Sequence, residues 1–281
     1  MIDPFLFGEA TLGAGALATL LSVYSSLDSG ARRRLARLVP CSGYSVKGAR
    51  HVWNEDHYVC LDGGPGAEAT VAVIADGVSQ GAAGALAAKL VADTVAWSLY
   101  RLAEKLPEDY GELRDKKSVL ATLQQSIVSV DNMFKHHYSQ FMGPHFFAAT
   151  TVTAALVLPG RYYCFVHVGN TRLYEVGSEK LRQVTQDQER GGMLSSAVAA
   201  IPQIRPVPDA DCRPLKKGVT HLLLISDGLA KVVGSEKRAS KIARIIGDSY
   251  APPLAARAVV EYALSKASLN DDATAVVVLA E

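Results

Sequence analysis

The residues best suited to chemistry in this chain are acids that stand where apolar runs end. Val71-Ala72-Val73-Ile74-Ala75 leads into Asp76-Gly77, and His221-Leu222-Leu223-Leu224-Ile225-Ser226 leads into Asp227-Gly228. Each run is short, apolar and closed by a turn signal, so each reads as a buried strand. A carboxylate at the mouth of such a strand is costly to hold without a partner. Two such strands meeting at one rim would bring two carboxylates together, and hard divalent cations need such oxygen clusters. The glycine after each acid lets the backbone come close and offer its carbonyl. Taken singly, each Asp-Gly reads equally well as a turn after a strand.

Two further acidic places stand at strand edges. Glu55-Asp56 follows a glycine-bearing turn, and Asp271-Asp272 precedes an apolar run. The four places are far apart in sequence, so only a fold could join them. Joined, they make an all-oxygen site for two Mg²⁺ or Mn²⁺ ions. Such a pair lowers the pKa of a bridging water and holds a phosphate for in-line attack. Arg50 is the candidate to grip phosphate oxygens bidentately. No Ser-His-Asp or Cys-x5-Arg arrangement competes for a covalent route.

The elements that must position these acids follow from periodicity. Strands are expected near residues 44–46, 58–61, 150–158, 162–168, 173–176, 181–185 and 273–279. Helices are expected over 80–106, with Leu86, Leu90, Val91, Val95, Leu99 and Leu102 as the apolar stripe, and over 118–141. Pro107 and Gly111 end the first helix, and Gly143-Pro144 ends the second. Two more helices are expected near 235–246 and 254–267. Residues 186–211 read as a loop or flap. Strands and helices come in blocks rather than strict alternation, which favours antiparallel α+β layers.

Composition narrows the classes. The 281 residues are 49% hydrophobic and 20% charged, enough apolar material for a full core. A net charge of +1 gives no reason to expect a nucleic-acid partner. The four cysteines are scattered, with no C-x-x-C. A zinc site or disulfide framework is therefore not expected, and the cytoplasm or another reducing compartment is the default location. Residues 5–24 are almost wholly apolar or small, with Glu9 the one charge, and Arg32-Arg33-Arg34 follows. This stretch reads either as a membrane or protein-partner anchor or as a helix packed on its own domain. The expected division is an N-terminal apolar helix and basic linker over 1–42 and a main domain over 43–281.

The ordered motifs Asn54-Glu55-Asp56, Asp76-Gly77, Ala149-Thr150-Thr151, Val168-Gly169-Asn170-Thr171-Arg172, Ser226-Asp227-Gly228-Leu229 and Asp271-Asp272-Ala273-Thr274 resemble the metal-dependent protein phosphatases of the PP2C type. The resemblance runs from about residue 43 to 281. It implies an α+β fold, a four-layer αββα sandwich of two antiparallel sheets flanked by helix pairs. It implies hydrolysis of phosphoserine and phosphothreonine in phosphoproteins. By matching position, Asp76 bridges two metals, Gly77 serves the second through its carbonyl, and Asp227 and Asp271 hold the first. Glu55 and Asp56 hold metal waters, and Arg50 is the nearest match to the phosphate-binding arginine. Asn170 stands where the family usually has an aspartate that helps hold a third, weaker metal. That departure keeps a second expectation open, a pseudophosphatase that binds or scaffolds with weak turnover.

Overall fold

The computed structural model describes residues 29–62, 69–78, 82–107, 110–113, 116–141, 147–200, 203–267 and 270–281. The apolar stretch 5–24, the start of the helix expected from residue 80 and the turn at Gly143-Pro144 lie outside the described residues. No helix among the described residues is long and apolar enough to cross a membrane.

Two antiparallel sheets form the centre. The first runs β1(Cys41–Val46), β14(Ala273–Leu279), β13(His221–Ile225), β7(Arg172–Val176), β8(Leu181–Gln183) in spatial order. The second runs β11(Val198–Ala199), β4(Ala149–Thr150), β3(Thr70–Val78), β5(Val152–Leu158), β6(Tyr162–Val168), β12(Asp209–Pro214), with β2(Asp56–Asp62) also paired to β3. A short hairpin, β9(Glu189–Arg190) with β10(Met193–Leu194), stands apart.

Side-chain alternation explains why the central strands carry unbroken apolar runs. On β3, Ala72 and Ile74 face the other sheet, and Val71, Val73 and Ala75 face helices. On β13, Leu222 and Leu224 face the other sheet, and Leu223 and Ile225 face helices. Successive residues of a strand point to opposite faces, so a strand covered on both sides needs apolar residues at every position. Truncating a fully buried leucine here, such as Leu223, would cost ~2–5 kcal/mol.

Helices cover both outer faces. α2(Ala82–Ala103) and α3(Lys116–Phe141) pack on the second sheet. α4(Asp227–Val233), α5(Glu236–Ser249) and α6(Pro252–Leu264) pack on the first. The buried stripe of α2 uses Ala88, Val91, Ala92, Val95, Ala96 and Leu99, whereas Leu86, expected on that stripe, is 42% exposed. Leu86 stands two residues before Ala88, roughly 200° around the helix, so it falls on the face away from β3.

Several elements differ from expectation, among them β12 and α1(Ser29–Leu38); β9, β10 and β11 also lie in the 186–211 region read as a loop, and α4 was not expected. The region expected to be a loop through residue 211 contains β12, which pairs with β6 from Asp209↔His167 to Pro214↔Tyr162. Its sequence, Asp-Ala-Asp-Cys-Arg-Pro, is that of an edge strand, where charge and proline are tolerated. α1 precedes β1 and buries Ala36 against Ala251 and Leu279. Because β1 starts at Cys41, the division expected at residue 42 falls inside a strand.

The cysteines also differ from expectation. Cys41 pairs with Cys60, and Cys164 pairs with Cys212. The first disulfide joins β1 to β2, so it staples one sheet to the other. The second joins directly opposed residues of β6 and β12. Cross-linking positions 19 residues apart constrains the unfolded chain. Cys41→Ser with Cys60→Ser is therefore expected to lower stability by about 2–4 kcal/mol in non-reducing buffer. Urea unfolding with and without a thiol reductant checks this, since the reductant should erase the difference.

Candidate active site

Asp76 lies in β3, opposite Asp56 of β2 in register. Asp227 opens α4 directly after β13, and Asp271 stands just before β14. β3 belongs to one sheet and β13 and β14 to the other, so docking of the sheets is what gathers these acids. Glu55, Asp76, Gly77, Asn170, Asp227 and Asp271 all line one cleft of ≈ 300 Å³. Asp56 stands behind this lining, buried, with its Oδ2 accepting from Thr274 Oγ1 at 2.6 Å.

Backbone contacts fix the rim. Gly77 N donates to Glu55 O at 3.0 Å, and Thr151 N donates to Asp76 O at 2.9 Å. Thr150 Oγ1 donates to the same carbonyl at 3.0 Å, which gives the Ala149-Thr150-Thr151 turn its structural task. A Cβ at Gly77 would overlap the Gly84 carbonyl, and one at Gly228 would overlap the Asp272 carbonyl. Only glycine allows the backbone to pass so close at these two points.

Asp272 organises the approach to the cleft. Its carboxylate accepts from Gly48 N at 2.7 Å, Glu55 N at 2.6 Å and His51 Nδ1 at 2.8 Å. One buried acid thus holds the 48–55 segment in place and aims His51 at the cleft, which His51 also lines. The hydrogen bond to Asp272 raises the His51 pKa against the opposing effect of burial.

The acids strain against one another. Burial pushes the Asp56 carboxyl up to about 7, aided by the charges of Asp272 and Asp227 and opposed by hydrogen bonds from Thr274 and Ser226. Burial raises Asp76 well above the usual carboxylate range, and Asp56, Asp227 and Asp271 add to the rise. Asp227 is raised by burial and partly relieved by Lys231. Like charges in a desolvated place disfavour ionisation, so a cation between them would be strongly attracted.

The donor set suits a hard divalent ion: carboxylates and backbone carbonyls, with no thiolate. Among the described residues, Asp56 Oδ1 and Asn170 Oδ1 are buried without a hydrogen-bond partner, and an unpaired buried oxygen is costly. In chemistry, then, the residues fit such a cation. In geometry the cleft is a shared lining, because among the described residues no three His, Cys, Asp or Glu side chains converge as a formed ligand group.

Three site residues escaped the sequence reading: His51, which lines the cleft as described above, Glu189 and Lys231. Glu189, in the short β9–β10 hairpin, lines the cleft and accepts from Asn170 Nδ2 at 2.9 Å. Asn170 Nδ2 also reaches Asp227 Oδ2 at 3.4 Å, so its amide lies between two carboxylates. Lys231 sits 3.8 Å from Asp227 Oδ2 and 3.3 Å from Asp271 Oδ2. Burial works against its charge, but both acids outweigh it and raise its pKa. The four-residue step from Asp227 to Lys231 is a helical signal, hidden because Asp-Gly reads as a turn. Arg50 lines a neighbouring pocket rather than the acidic cleft.

Comparison with known proteins agrees with this architecture. A profile of the protein phosphatase 2C family matches residues 51–273. The serine/threonine phosphatase PstP/Ppp of Mycobacterium tuberculosis superposes with a TM-score of 0.63 at 23% identity, covering 86% of this chain and 98% of that one. A serine/threonine phosphatase from Staphylococcus aureus gives 0.65 at 19% identity, over 86% and 94%. A serine-threonine phosphatase 2C from Toxoplasma gondii gives 0.68 at 17% identity, over 86% and 94%. No match was found among curated proteins. With its sheets, its rim of acids and a family match over most of its length, the chain belongs to the protein phosphatase 2C family.

Proposed function

We propose that the protein is a Mg²⁺- or Mn²⁺-dependent phosphatase acting on phosphoserine and phosphothreonine in proteins. The observation that carries this reading is the convergence of Glu55, Asp76, Asp227 and Asp271 on one cleft from distant segments. Solvated strand-end acids would have no reason to share a desolvated space at such mutual cost. Glu55, Asp56, Asp76, the Gly77 carbonyl, Asp227 and Asp271 are the groups that would hold two cations. When bound, the cations supply a nucleophilic water at neutral pH and charge to steady the phosphate.

The chain's own residues have separate tasks. The carboxylates orient and charge-match the cations. His51, whose protonated form Asp272 favours, is the group available to protonate the departing serine or threonine oxygen. Asn170 takes the place of a third-cation carboxylate with an amide, which carries a dipole and no charge. That amide is the observation that favours a second reading, a pseudophosphatase with weak turnover. Hydrolysis of an aryl phosphate with and without Mn²⁺ separates the two readings. Metal-dependent turnover supports the enzyme, and none at saturating Mn²⁺ supports the binding protein.

Asp76→Asn is expected to abolish that turnover and to stabilise the cation-free protein. The sign follows from linkage. An acid whose pKa is raised on folding binds more protons in the folded state between its unfolded and folded values. Stability from such a group is therefore lost as pH rises through the folded pKa. The advantage of Asp76→Asn over wild type should be small below about pH 4, the unfolded value, and grow as pH rises from there through the raised folded pKa. Urea unfolding in EDTA reads it, and an advantage that shrinks with pH would contradict it.

Added Mn²⁺ is expected to raise the wild-type melting temperature and to leave that of Asp76→Asn with Asp227→Asn nearly unchanged, because binding to the folded state alone stabilises it. Asn170→Asp should lower the half-saturating Mn²⁺ concentration for turnover by about threefold or more, since it adds a full charge beside the outer cation. Superimposable metal titrations of the two proteins would show that the amide serves only its turn.

A further inference from the structure

Beside the acidic cleft lies a second pocket of ≈ 320 Å³, and its character is opposite. Arg50, Lys231 and Arg238 line it, and Asp271 is the one acid among its described lining residues. His51 and Asp271 line both spaces, so the two share a wall. Lys231 is taken up by Asp227 and Asp271 across that wall. The guanidinium groups of Arg50 and Arg238 make no ion pair or side-chain hydrogen bond among the described residues, and both residues are exposed. Backbone alone holds them in place. Arg50 N donates to Asn270 O at 3.1 Å, and Arg238 N donates to the Ser235 cap of α5 at 3.4 Å.

Two unpaired guanidinium groups facing one pocket make a receptor for an oxyanion. The planar fork matches phosphate and carboxylate bidentately, and such charge-assisted bonds are about twice as strong as neutral ones. The volume is at the lower end of the range that holds a small ligand, ~300–1,000 Å³, and suits one anionic side chain. Its place matters as much as its charge. Because the two spaces share His51 and Asp271, a peptide with its phosphate in the acidic cleft would have its neighbouring residues beside the basic pocket.

We propose that this basic pocket binds a second oxyanion of the phosphopeptide, a phosphate or carboxylate on a residue close to the one being dephosphorylated. The inference rests on the phosphatase reading above and deepens it, because it names the substrate class: peptides with clustered phosphorylation or with an acid beside the phosphorylated residue. Arg238 would select substrate without touching the reacting phosphate, since it lines the basic pocket and not the acidic cleft.

The test uses the full chain with Mn²⁺ and three peptides of one sequence. The first carries a single phosphothreonine. The second adds a non-hydrolysable phosphonate analogue of phosphoserine at a neighbouring position, and the third adds aspartate there. The phosphonate peptide should show a KM about tenfold lower than the single phosphopeptide, with kcat little changed. Arg238→Ala should bring that preference to within about twofold, and Arg238→Lys should restore part of it. Turnover of an aryl phosphate, too small to reach the pocket, should be equal in all three proteins. An aspartate peptide as good as the phosphonate shows that the pocket takes either oxyanion, one better than the phosphonate assigns it to carboxylates, and one no better than the single phosphopeptide assigns it to phosphate. Equal KM values for all three peptides, or a preference that survives Arg238→Ala, would overturn the proposal. Should neither peptide nor aryl phosphate be hydrolysed, the phosphatase reading fails on its own. Fluorescence anisotropy of the same labelled peptides then decides the pocket by the same order of affinities.

Discussion

The structure depends on a repulsion. Asp56, Asp76 and Asp227 are drawn from both sheets into a place where burial and mutual charge raise every one of their pKa values. Nothing about folding favours this arrangement, so the rest of the molecule has to hold it. Three apolar layers do so: the interior between the sheets and the two helix-covered faces. The Cys41–Cys60 bridge adds a covalent link between the same two sheets. Burial of that extent offsets a local penalty of several kcal/mol, the usual scale for desolvated charge. The resulting site is poised for cations, because a cation would turn this repulsion into attraction.

Neutralising contacts grade the site from inside to outside. Asp272 is fully engaged by two backbone amides and His51, and it acts as scaffold. Asp271, its neighbour in sequence, faces the cleft and meets Lys231. Adjacent residues at a strand entrance point to opposite sides, so one acid is spent on structure and the other left for chemistry. The amide of Asn170 continues this gradation on the flap side, where it touches both Glu189 and Asp227.

What the sequence made legible was what burial writes into it. β3, β5, β6, β13 and β14 are covered on both faces, so their apolar runs stand out, and the acids at their ends stand out with them. Elements stabilised by other means left weaker traces. β12 is an edge strand with three charges and a proline, and its signal is indistinguishable from a loop. α4 spans seven residues and opens on Asp-Gly, too short for periodicity to speak. Without that helix, Lys231 had no reason to be joined to Asp227. Glu189 sits on a two-residue strand whose position depends on Gln188 N bonding Gly169 O. The pairing of Cys41 with Cys60 needs knowledge of which strands face each other across the sandwich, and spacing alone carries none.

The order of strands has a consequence for when the site comes into being. Asp56 is bonded to Thr274 across 218 residues, and Glu55 to Asp272 across 217. β14, the furthest strand along the chain, is not an edge but lies between β1 and β13. Until it inserts, the first sheet is split and the 48–55 segment has no Asp272 to hold it. Contacts of such long range close late, after most local structure has formed. Until then Asp56 and Asp76 face one another across the paired β2 and β3, while Asp227 and Asp271 lie on segments not yet docked against them. The repelling cluster, and any affinity for cations that comes with it, is assembled in the last act of folding, when the two ends of the domain meet.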